Sequence, residues 1–304
     1  MPVIEVDRLT KDYGHERGVF SVSLKVEKGM CYGFLGPNGA GKTTTIRHLM
    51  GFSKPQSGST AILGFDSWEN AAQLKFDVGY LPGEIAFPKG LKGTELLDMQ
   101  MKMRGITDSA YLNELLLRFE LDPSMPIHKM SLGVRRKLAV VTAFIHDPDI
   151  LILDEPTSGL DPVMQQTFID FVLSEKKRGK TILLSSHIFH EVDATCDRIS
   201  IIKDGKIVSD FNADDLKNRD SKIYRVTFYD KKSFDIFTAL NYTFHSKNEK
   251  KLRARIVIPK NSVNELLSDI SNLAVTEFQE IPFTLEDYFM GFYKNDKTFE
   301  EVHK

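Results

Sequence analysis

The stretch "GPNGAGKTT", residues 36–44, decides which fold this chain can adopt. It matches the pattern Gly-x-x-x-x-Gly-Lys-Ser/Thr, and it lies between the apolar run "MCYGFL" and the helical pattern "TTTIRHLM". A glycine-rich loop between a strand and a helix directs its backbone N–H groups, together with the N-terminus of the helix, toward phosphate oxygens. The sequence therefore predicts a P-loop that joins a buried strand to a helix.

Most residues of this loop are candidate nucleotide ligands. They are Gly36, Asn38, Gly39, Gly41, Lys42, Thr43 and Thr44. The glycines let the backbone turn tightly enough for successive N–H groups to converge on one phosphate. We expect the Lys42 ammonium to reach the β- and γ-phosphates and the Thr43 hydroxyl to bind Mg²⁺. The alternative is a glycine-rich turn without a ligand, which the flanking strand and helix disfavour.

A second motif, "ILILDEP" at residues 150–156, supplies the carboxylates that a bound phosphate and its metal ion require. Its unbroken apolar run is typical of a strand that is covered on both faces of a sheet. Asp154, at the strand end, is the expected Mg²⁺ ligand, and Glu155 is placed to act on the attacking water. Two acids that merely enter a loop are the alternative interpretation.

Two further motifs lie near these strands in the sequence. "LLSSH" places His187 at the carboxyl end of another buried strand, where parallel sheets bind ligands, although a single histidine is often only a surface or core residue. In "TSGLDP", Asp161 followed by Pro162 has the pattern of a helix N-cap, which is a structural role. Position alone leaves both alternatives open for His187.

The order of the elements predicts two domains. Apolar strands alternate with helical patterns over residues 1–215, which indicates an α/β domain with a mostly parallel sheet. Residues 216–304 change character and predict a small α+β domain. Its expected strands cover residues 222–229, 252–258 and 273–281, and its expected helices cover residues 233–240 and 261–270.

The composition narrows the class of protein. The chain has 304 residues, of which 41% are hydrophobic and 27% charged, and its formal net charge is -2, so no basic surface for nucleic acid is expected. Two distant cysteines, Cys31 and Cys196, indicate neither a disulfide framework nor a metal site. Because there is no secretory signal and no apolar run of roughly 18 residues, we expect that the chain itself does not cross a membrane.

Taken in order, these motifs resemble those of the ATPase subunit of ATP-binding cassette (ABC) transporters, over roughly residues 1–215. "GPNGAGKTT" looks like the Walker A motif, "MSLGV" the signature motif, "ILILDEP" Walker B, "SGLD" the D-loop and "LLSSH" the switch histidine. The resemblance implies a P-loop ABC-type nucleotide-binding domain, with a mostly parallel sheet and with antiparallel β and helical subdomains. It also implies ATP and Mg²⁺ as ligands.

The resemblance assigns roles to single residues. It implies that Glu155 is the catalytic carboxylate, that His187 contacts the γ-phosphate, and that Tyr13 stacks on adenine. Further nucleotide contacts are implied for Ser131, Gly133 and Asp161.

The resemblance also implies partners. In this family the signature segment of one subunit completes the nucleotide site of another, so a homo- or heterodimer of nucleotide-binding subunits is expected. A separate polytopic membrane permease is the second expected partner, and it would hold the chain at the cytoplasmic face of the cell membrane. The C-terminal domain is then expected to be an accessory or dimerisation domain.

The expected signature helix begins with a concentration of positive charge. Arg135, Arg136 and Lys137 closely follow Ser131, although the macrodipole favours negative charge at a helix N-terminus. One interpretation is that these long side chains lean into solvent. The other is that the helix start receives the γ-phosphate of an ATP that is held by the Lys42 of a second subunit.

The sequence departs from the common pattern of the family in two places. Leu132 and Val134 replace the first Gly and the Gln of the usual Leu-Ser-Gly-Gly-Gln signature. The loop that normally carries a Gln after the strand "VGYLP" has Gly83 followed by Glu84, so Glu84 is a candidate metal ligand. Both departures resemble the bacitracin- and lantibiotic-resistance branch of multidrug and peptide exporters.

Two functions follow from these expectations. The first is an ATPase subunit of an ABC exporter of drugs, peptides or antibiotics, in which ATP-driven dimer closure moves a separate transmembrane subunit. The alternative is a soluble ABC-type ATPase switch that acts on the ribosome or on nucleic acid. Such switches usually carry two cassettes or a long coiled-coil insertion, and this chain shows neither.

Overall fold

The computed structural model describes residues 2–217 and 221–292. The chain divides into two compact units, and the division lies between Asn212 and Ala213. The boundary expected from the sequence, after residue 215, falls inside the helix Ala213–Lys217. Each unit is described by itself below.

The first unit contains ten strands and seven α-helices within the described residues. The strands are β1 (Ile4–Asp12), β2 (Gly18–Val26), β3 (Cys31–Leu35), β4 (Ser57–Ile62), β5 (Phe65–Asp66), β6 (Val78–Leu81), β7 (Ile150–Asp154), β8 (Thr181–Ser186), β9 (Arg198–Lys203) and β10 (Lys206–Asn212). The helices are α1 (Lys42–Leu49), α2 (Ala71–Asp77), α3 (Gly93–Met103), α4 (Ala110–Arg118), α5 (Leu132–Phe144), α6 (Pro162–Lys177) and α7 (Phe189–Thr195).

The central sheet of this unit has the strand order β10-β9-β3-β8-β7-β6. All of its neighbours pair in parallel except β10, which forms an antiparallel hairpin with β9. Every residue of β3, β7 and β8 is buried, as expected for strands covered on both faces. The prediction of a mostly parallel α/β sheet is therefore confirmed.

Two smaller layers complete the unit. One is a separate antiparallel sheet with the order β2-β1-β4-β5. The other consists of helices α3 and α4, which pack against α5; all three helices lie between β6 and β7 in the chain. A cluster of aromatic rings fills the space between α5 and α6, where the ring centroids of Phe144 and Phe171 are 4.7 Å apart and those of Phe119 and Phe171 are 5.3 Å apart. These layers correspond to the expected antiparallel and helical subdomains.

The second unit is α+β. Its elements are α8 (Ala213–Lys217), β11 (Ser221–Phe228), α9 (Lys231–Thr238), β12 (Thr243–Asn248), β13 (Arg253–Pro259), α10 (Val263–Ile270), β14 (Val275–Ile281) and α11 (Leu285–Met290). The sheet has the order β12-β13-β11-β14, and all of its pairs are antiparallel. One core holds it together, with Val226, Phe237 and Ile256 among its fully buried residues.

Sequence reasoning missed β12. This strand lies at the edge of the sheet and pairs only with β13, and most of its residues, "TFHSKN", are exposed. Its backbone pairs with β13, and of its side chains Phe244 packs against the core, so it has no alternating apolar pattern to detect. In the part of the chain that the structure describes, no helix combines the length and the apolar character needed to span a bilayer.

Candidate functional site

Four loops meet at one edge of the central sheet because the strands that precede them are parallel and in register. Leu35 at the end of β3 pairs with Ser186 of β8, and Asp154 at the end of β7 pairs with Ser185. β6 pairs in parallel with β7, so it ends at the same edge of the sheet. The P-loop, the two acids of Walker B, the turn with His187 and the loop after β6 therefore lie side by side.

The P-loop has the backbone that its glycines were expected to permit. Gly39 and Gly41 have φ values of +83° and +112°, a region that side chains disfavour, and Gly41 is the N-cap of α1. At Gly36 an added Cβ would lie 2.6 Å from the backbone oxygen of Ile202. Thr44 lies in the first turn of α1, and its backbone oxygen is 2.8 Å from Nδ1 of His48. The strand–loop–helix prediction is confirmed.

Lys42 is folded over this loop. Its side chain is only 5% exposed, and Nζ donates hydrogen bonds to the backbone oxygens of Gly36 at 2.5 Å and Pro37 at 3.1 Å. Nζ also lies 2.9 Å from Oε1 of Glu155. The structure thus brings the Walker A lysine and the Walker B glutamate into one ion pair.

The neighbouring acid contacts two hydroxyl groups. Oγ1 of Thr43 donates to Oδ2 of Asp154 at 2.8 Å, and the hydroxyl of Ser185 donates to the other carboxylate oxygen. Asp154 is fully buried. Its carboxylate is therefore fixed in orientation from two sides, which a metal ligand requires.

Glu155 is held in an unusual backbone conformation. Its φ is +48°, which is uncommon for a residue with a side chain, and its N–H donates to the backbone oxygen of Ser185 at 2.9 Å. Oε2 of Glu155 lies 2.5 Å from Nδ1 of His187. Lys42, Glu155 and His187 therefore form one continuous polar contact.

These groups face a cleft of about 350 Å³. Its lining includes Asn38, Thr43, Arg47, Tyr80, Pro82, Gly83, Glu84, Ala86, Glu155, Ser158 and His187. Burial raises the pKa of Tyr80 to about 12, and the charge of Asp154 acts in the same direction. The expected residues that line the cleft are thus Asn38, Thr43, Glu84, Glu155 and His187. Lys42 and Asp154 contact the lining residues Glu155 and Thr43.

The four expected nucleotide contacts that lie outside the P-loop do not line this cleft. Ser131 is exposed at the N-cap of α5 and accepts a hydrogen bond from the Val134 N–H at 3.3 Å. Gly133 lies beside the backbone oxygen of Gly159, and the ring of Tyr13 is 57% exposed.

Asp161 is the fourth of these residues. It is the N-cap of α6 and accepts hydrogen bonds from the N–H groups of Val163 and Met164, both at 3.0 Å. The N-cap prediction is therefore confirmed.

The comparison with known proteins agrees with the site. Residues 19–158 match the ABC transporter family. The chain is 34% identical over 246 residues to the bacitracin transport ATP-binding protein BcrA of Bacillus licheniformis, with 80% of each chain covered. This protein belongs to the ABC transporter family. It is an ATP-binding subunit and an ATPase of the exporter type.

Two further likenesses support this membership. The daunorubicin resistance ATP-binding protein DrrA3 of Streptomyces coeruleorubidus is 34% identical over 219 residues, which cover 70% of this chain and 69% of that one. A solved ATP-binding subunit of an ABC transporter is 29% identical, with a TM-score of 0.65, and the match covers 71% of this chain and 92% of that one. Membership among transport ATPases disfavours the alternative of a switch on the ribosome or nucleic acid.

Arg136 of this ABC subunit corrects one expectation. One interpretation of the three cations was that their side chains lean into solvent, and for Arg136 this is wrong. The residue is only 3% exposed, and its guanidinium donates to the backbone oxygens of Ser158 at 3.0 Å, Pro82 at 2.9 Å and Gly83 at 2.7 Å. Position 136 lies among the buried residues of α5, so the side chain points toward these two loops.

Sequence reasoning also missed Glu191, which lies in the first turn of α7. It is 1% exposed, and its Oε2 accepts a hydrogen bond from the Ser186 hydroxyl at 2.5 Å. The same hydroxyl accepts from the Ile188 N–H at 2.9 Å, so this contact fixes the turn that carries His187. An acid in the first turn of a helix is an ordinary sequence signal, and nothing local marks this one as buried.

The buried environment changes the acidity of Glu191. Its pKa is raised to about 7, chiefly by burial and also by the charge of Glu155, while the hydroxyls of Ser186 and Thr157 and the charge of Arg136 act in the opposite direction. For Arg136, burial lowers the pKa, while nearby carboxylates oppose that change. The guanidinium still stays charged at neutral pH, because an arginine does not lose its proton in proteins.

We predict that Glu191→Gln becomes more stable relative to the wild type as the pH rises. The folded protein holds a proton on Glu191 up to about pH 7, whereas the unfolded chain loses it near the ordinary value of 4.5. In the wild type, this proton therefore stabilises the folded state most below the unfolded pKa of Glu191. The wild type loses this stabilisation as the pH rises through the folded pKa. The measurement is the difference in Tm between variant and wild type at about pH 5 and about pH 8.

The exposed Glu114→Gln on α4 is the matched control, and its Tm difference should be the same at both pH values. The prediction is wrong if Glu191→Gln and Glu114→Gln respond to pH alike.

Proposed function

We propose that Lys42, Glu155 and His187 are the hydrolytic centre of this ATPase. The observation that supports the proposal is their mutual contact, with Nζ of Lys42 at 2.9 Å and Nδ1 of His187 at 2.5 Å from the Glu155 carboxylate. Glu155 accepts the proton of the attacking water, and Lys42 and the P-loop N–H groups bind the phosphates. His187 contacts the γ-phosphate, where it orients the water together with Glu155.

Binding of ATP then has to change the partner of Lys42. Its ammonium pairs with Oε1 of Glu155, so one oxygen of this carboxylate is occupied. The γ-phosphate offers Lys42 a more highly charged partner. The arrival of substrate therefore frees one carboxylate oxygen of Glu155 for the water.

We propose that Thr43 and Asp154 hold the Mg²⁺ of MgATP. Both supply oxygen atoms, which this ion prefers, and their oxygens already lie 2.8 Å apart at the cleft. Among the described residues no group of three or more His, Cys, Asp or Glu side chains is placed to hold a metal ion. Mg²⁺ usually takes few protein ligands and shares phosphate oxygens, so this pair suits it, with Glu84 as the third candidate. The ion supplies neutralisation of the charge on the β- and γ-phosphates.

We propose that two nucleotide-binding subunits, identical or different, enclose ATP between them. Ser131, Gly133 and Asp161 do not line the cleft of their own chain, so they are available to a second subunit. The exposed Ser131 also presents the positive end of α5. Tyr13, whose ring is exposed on the loop between β1 and β2, is the candidate for stacking on adenine.

The transported molecule is the least direct part of the proposal. The relatives are named for bacitracin transport and for daunorubicin resistance, an antibiotic peptide and a drug. We propose efflux of a drug, peptide or antibiotic through a separate polytopic permease. The chain then lies at the cytoplasmic face of the cell membrane, attached through that permease.

An exposed apolar surface is the candidate contact for the permease. We name it the aromatic surface, and it consists of Phe52, Phe76 and Met103, which are 51%, 57% and 63% exposed. Nζ of Lys75 lies 4.5 Å from the ring centroid of Phe52, and the guanidinium of Arg104 lies 5.8 Å from that of Phe76. Arg104 also donates to the Phe76 backbone oxygen at 2.6 Å, which joins α2 to the end of α3. Exposed rings beside cations are typical of a protein interface.

We propose that residues 216–304 stabilise the dimer or regulate the ATPase. The second unit has its own hydrophobic core, and so does the first. Neither unit therefore needs the other for its core, which favours an accessory role over a structural one.

The first prediction separates binding from hydrolysis. Glu155→Gln should bind ATP like the wild type and hydrolyse it about 100-fold or more slowly, because a general base is removed. Lys42→Ala should lose ATP affinity. Phosphate release and equilibrium binding of a fluorescent ATP analogue measure the two effects, and the exposed Lys206→Ala is the charge control. Wild-type turnover in Glu155→Gln would contradict the assignment.

The second prediction concerns the aromatic surface. Phe76→Ser should keep the ATPase activity of the purified chain and reduce about tenfold the permease that co-purifies from solubilised membranes, because a central aromatic contact is lost. Leu117→Ser on α4 is the control, since this residue is 82% exposed and lies outside the surface. Equal loss in both variants would refute the role of the surface, and a ribosomal partner in place of a permease would favour the alternative function.

The third prediction concerns the C-terminal unit. A chain that ends after residue 220 should keep the first unit folded but should dimerise more weakly in ATP or turn over ATP at a different rate. Sedimentation in the Glu155→Gln background and phosphate release measure the two properties, and thermal unfolding checks the fold. If both properties equal those of the full chain, the accessory role is wrong.

A further inference from the structure

Arg136 connects three segments of the first unit that are distant in sequence. Its own helix, α5, begins at the Ser131 N-cap. Its Nη atoms donate to Pro82 and Gly83 in the loop after β6, and its Nε donates to Ser158 in the turn after Walker B. One buried side chain thus holds the signature helix and two loops of the cleft in a fixed relation.

Each of these segments lies next to an acidic residue of the site, one beside the Asp154 carboxylate and the other bonded to the Glu155 backbone. At Gly83 an added Cβ would lie 3.1 Å from Oδ2 of Asp154, the same oxygen that accepts the Thr43 hydroxyl. The Ser158 N–H donates to the backbone oxygen of Glu155 at 3.2 Å. The carbonyl groups that Arg136 holds are therefore one contact away from Asp154 and from Glu155.

The chemistry of this connection requires an arginine. A guanidinium donates several hydrogen bonds in fixed directions, and here the three bonds leave it toward two different loops. A lysine ammonium is a single point on a flexible stem and cannot reach both loops with the same geometry. At 3% exposure, water does not replace a lost bond to these carbonyl oxygens.

The loop after β6 gives the connection a further consequence. Gly83 has no side chain, so at this position only its backbone lies against Asp154. That backbone is held by Arg136 through the Gly83 oxygen at 2.7 Å. Arg136 therefore joins α5 to the backbone that lies beside Asp154.

We propose that Arg136 is a positioning residue that couples closure of α5 on a second subunit's ATP to the setting of Asp154 and Glu155 in its own cleft. This inference rests on the proposed dimer, in which Ser131 meets the ATP of the other subunit. Closure fixes the position of α5. Arg136 then fixes the loop at Gly83 and the turn at Ser158, to which it is bonded. The carboxylates of Asp154 and Glu155 take their hydrolytic positions as a result. The two ATP sites of the dimer are linked in this way.

The test compares Arg136→Gln, Arg136→Lys and the wild type as full chains. We expect Arg136→Gln to lower kcat about 10- to 100-fold, the range for groups that orient ligands of a metal site, with KM for ATP unchanged. The hydrolysis rate of this variant should depend on ATP concentration without the cooperativity of the wild type, so its Hill coefficient should fall toward one. Arg136→Lys should restore part of kcat, since it keeps the charge and some of the bonds.

The matched control is Arg198→Gln. Its guanidinium donates two bonds to Asp210, at 3.0 and 2.6 Å, at the amino end of β9, opposite the cleft. It should lose stability without a change in the Hill coefficient. Thermal unfolding of every variant, and ATP binding in the Glu155→Gln background, show whether the fold and the P-loop remain intact.

Two results would overturn the inference. One is an Arg136→Gln chain with wild-type kcat and cooperativity. The other is a parallel loss of Tm, ATP affinity and kcat in both Arg136 variants, which a purely structural role would produce. Failure of the proposed function looks different: the wild-type chain would then not hydrolyse ATP cooperatively, and Ser131→Arg would dimerise in ATP as well as the wild type.

Discussion

The parallel register of β3, β8 and β7 is the constraint on which the rest of the structure depends. Parallel neighbours place all of their carboxyl ends at one edge, so the loops that follow them must share one space. The ion pair of Lys42 with Glu155 and the contact of Glu155 with His187 exist only because of this arrangement. Because these strands are covered on both faces, a one-residue slip would move every side chain to the opposite face and disrupt the packing on both sides.

The cleft is built from charges that depend on one another. Lys42 is nearly buried and has an acid within 2.9 Å, as a buried cation needs. Asp154 is fully buried between hydroxyl donors. Removing one member of such a set leaves its partner buried and uncompensated, which costs about 3–5 kcal/mol for a buried ion pair. The arrangement therefore favours a substrate that exchanges one charged partner for another.

Arg136 shows that a buried cation can organise backbone rather than pair with one acid. Its three bonds end on carbonyl groups of two loops, of which one lies beside the Asp154 carboxylate and the other is bonded to the Glu155 backbone. The second unit has a core of its own.

The sequence by itself determined the central sheet, the P-loop and the chemistry of Walker B. These features are local, since apolar runs, glycines and acids at fixed spacing decide them without reference to distant residues. Only the tertiary structure decided the inward direction of Arg136, the burial of Glu191 and the edge strand β12. Each of these depends on contacts with residues that are distant in the sequence, and the sequence alone does not show which residues those are. A run of cations predicts an exposed surface, and only the fold shows which of them contacts carbonyl groups instead of water.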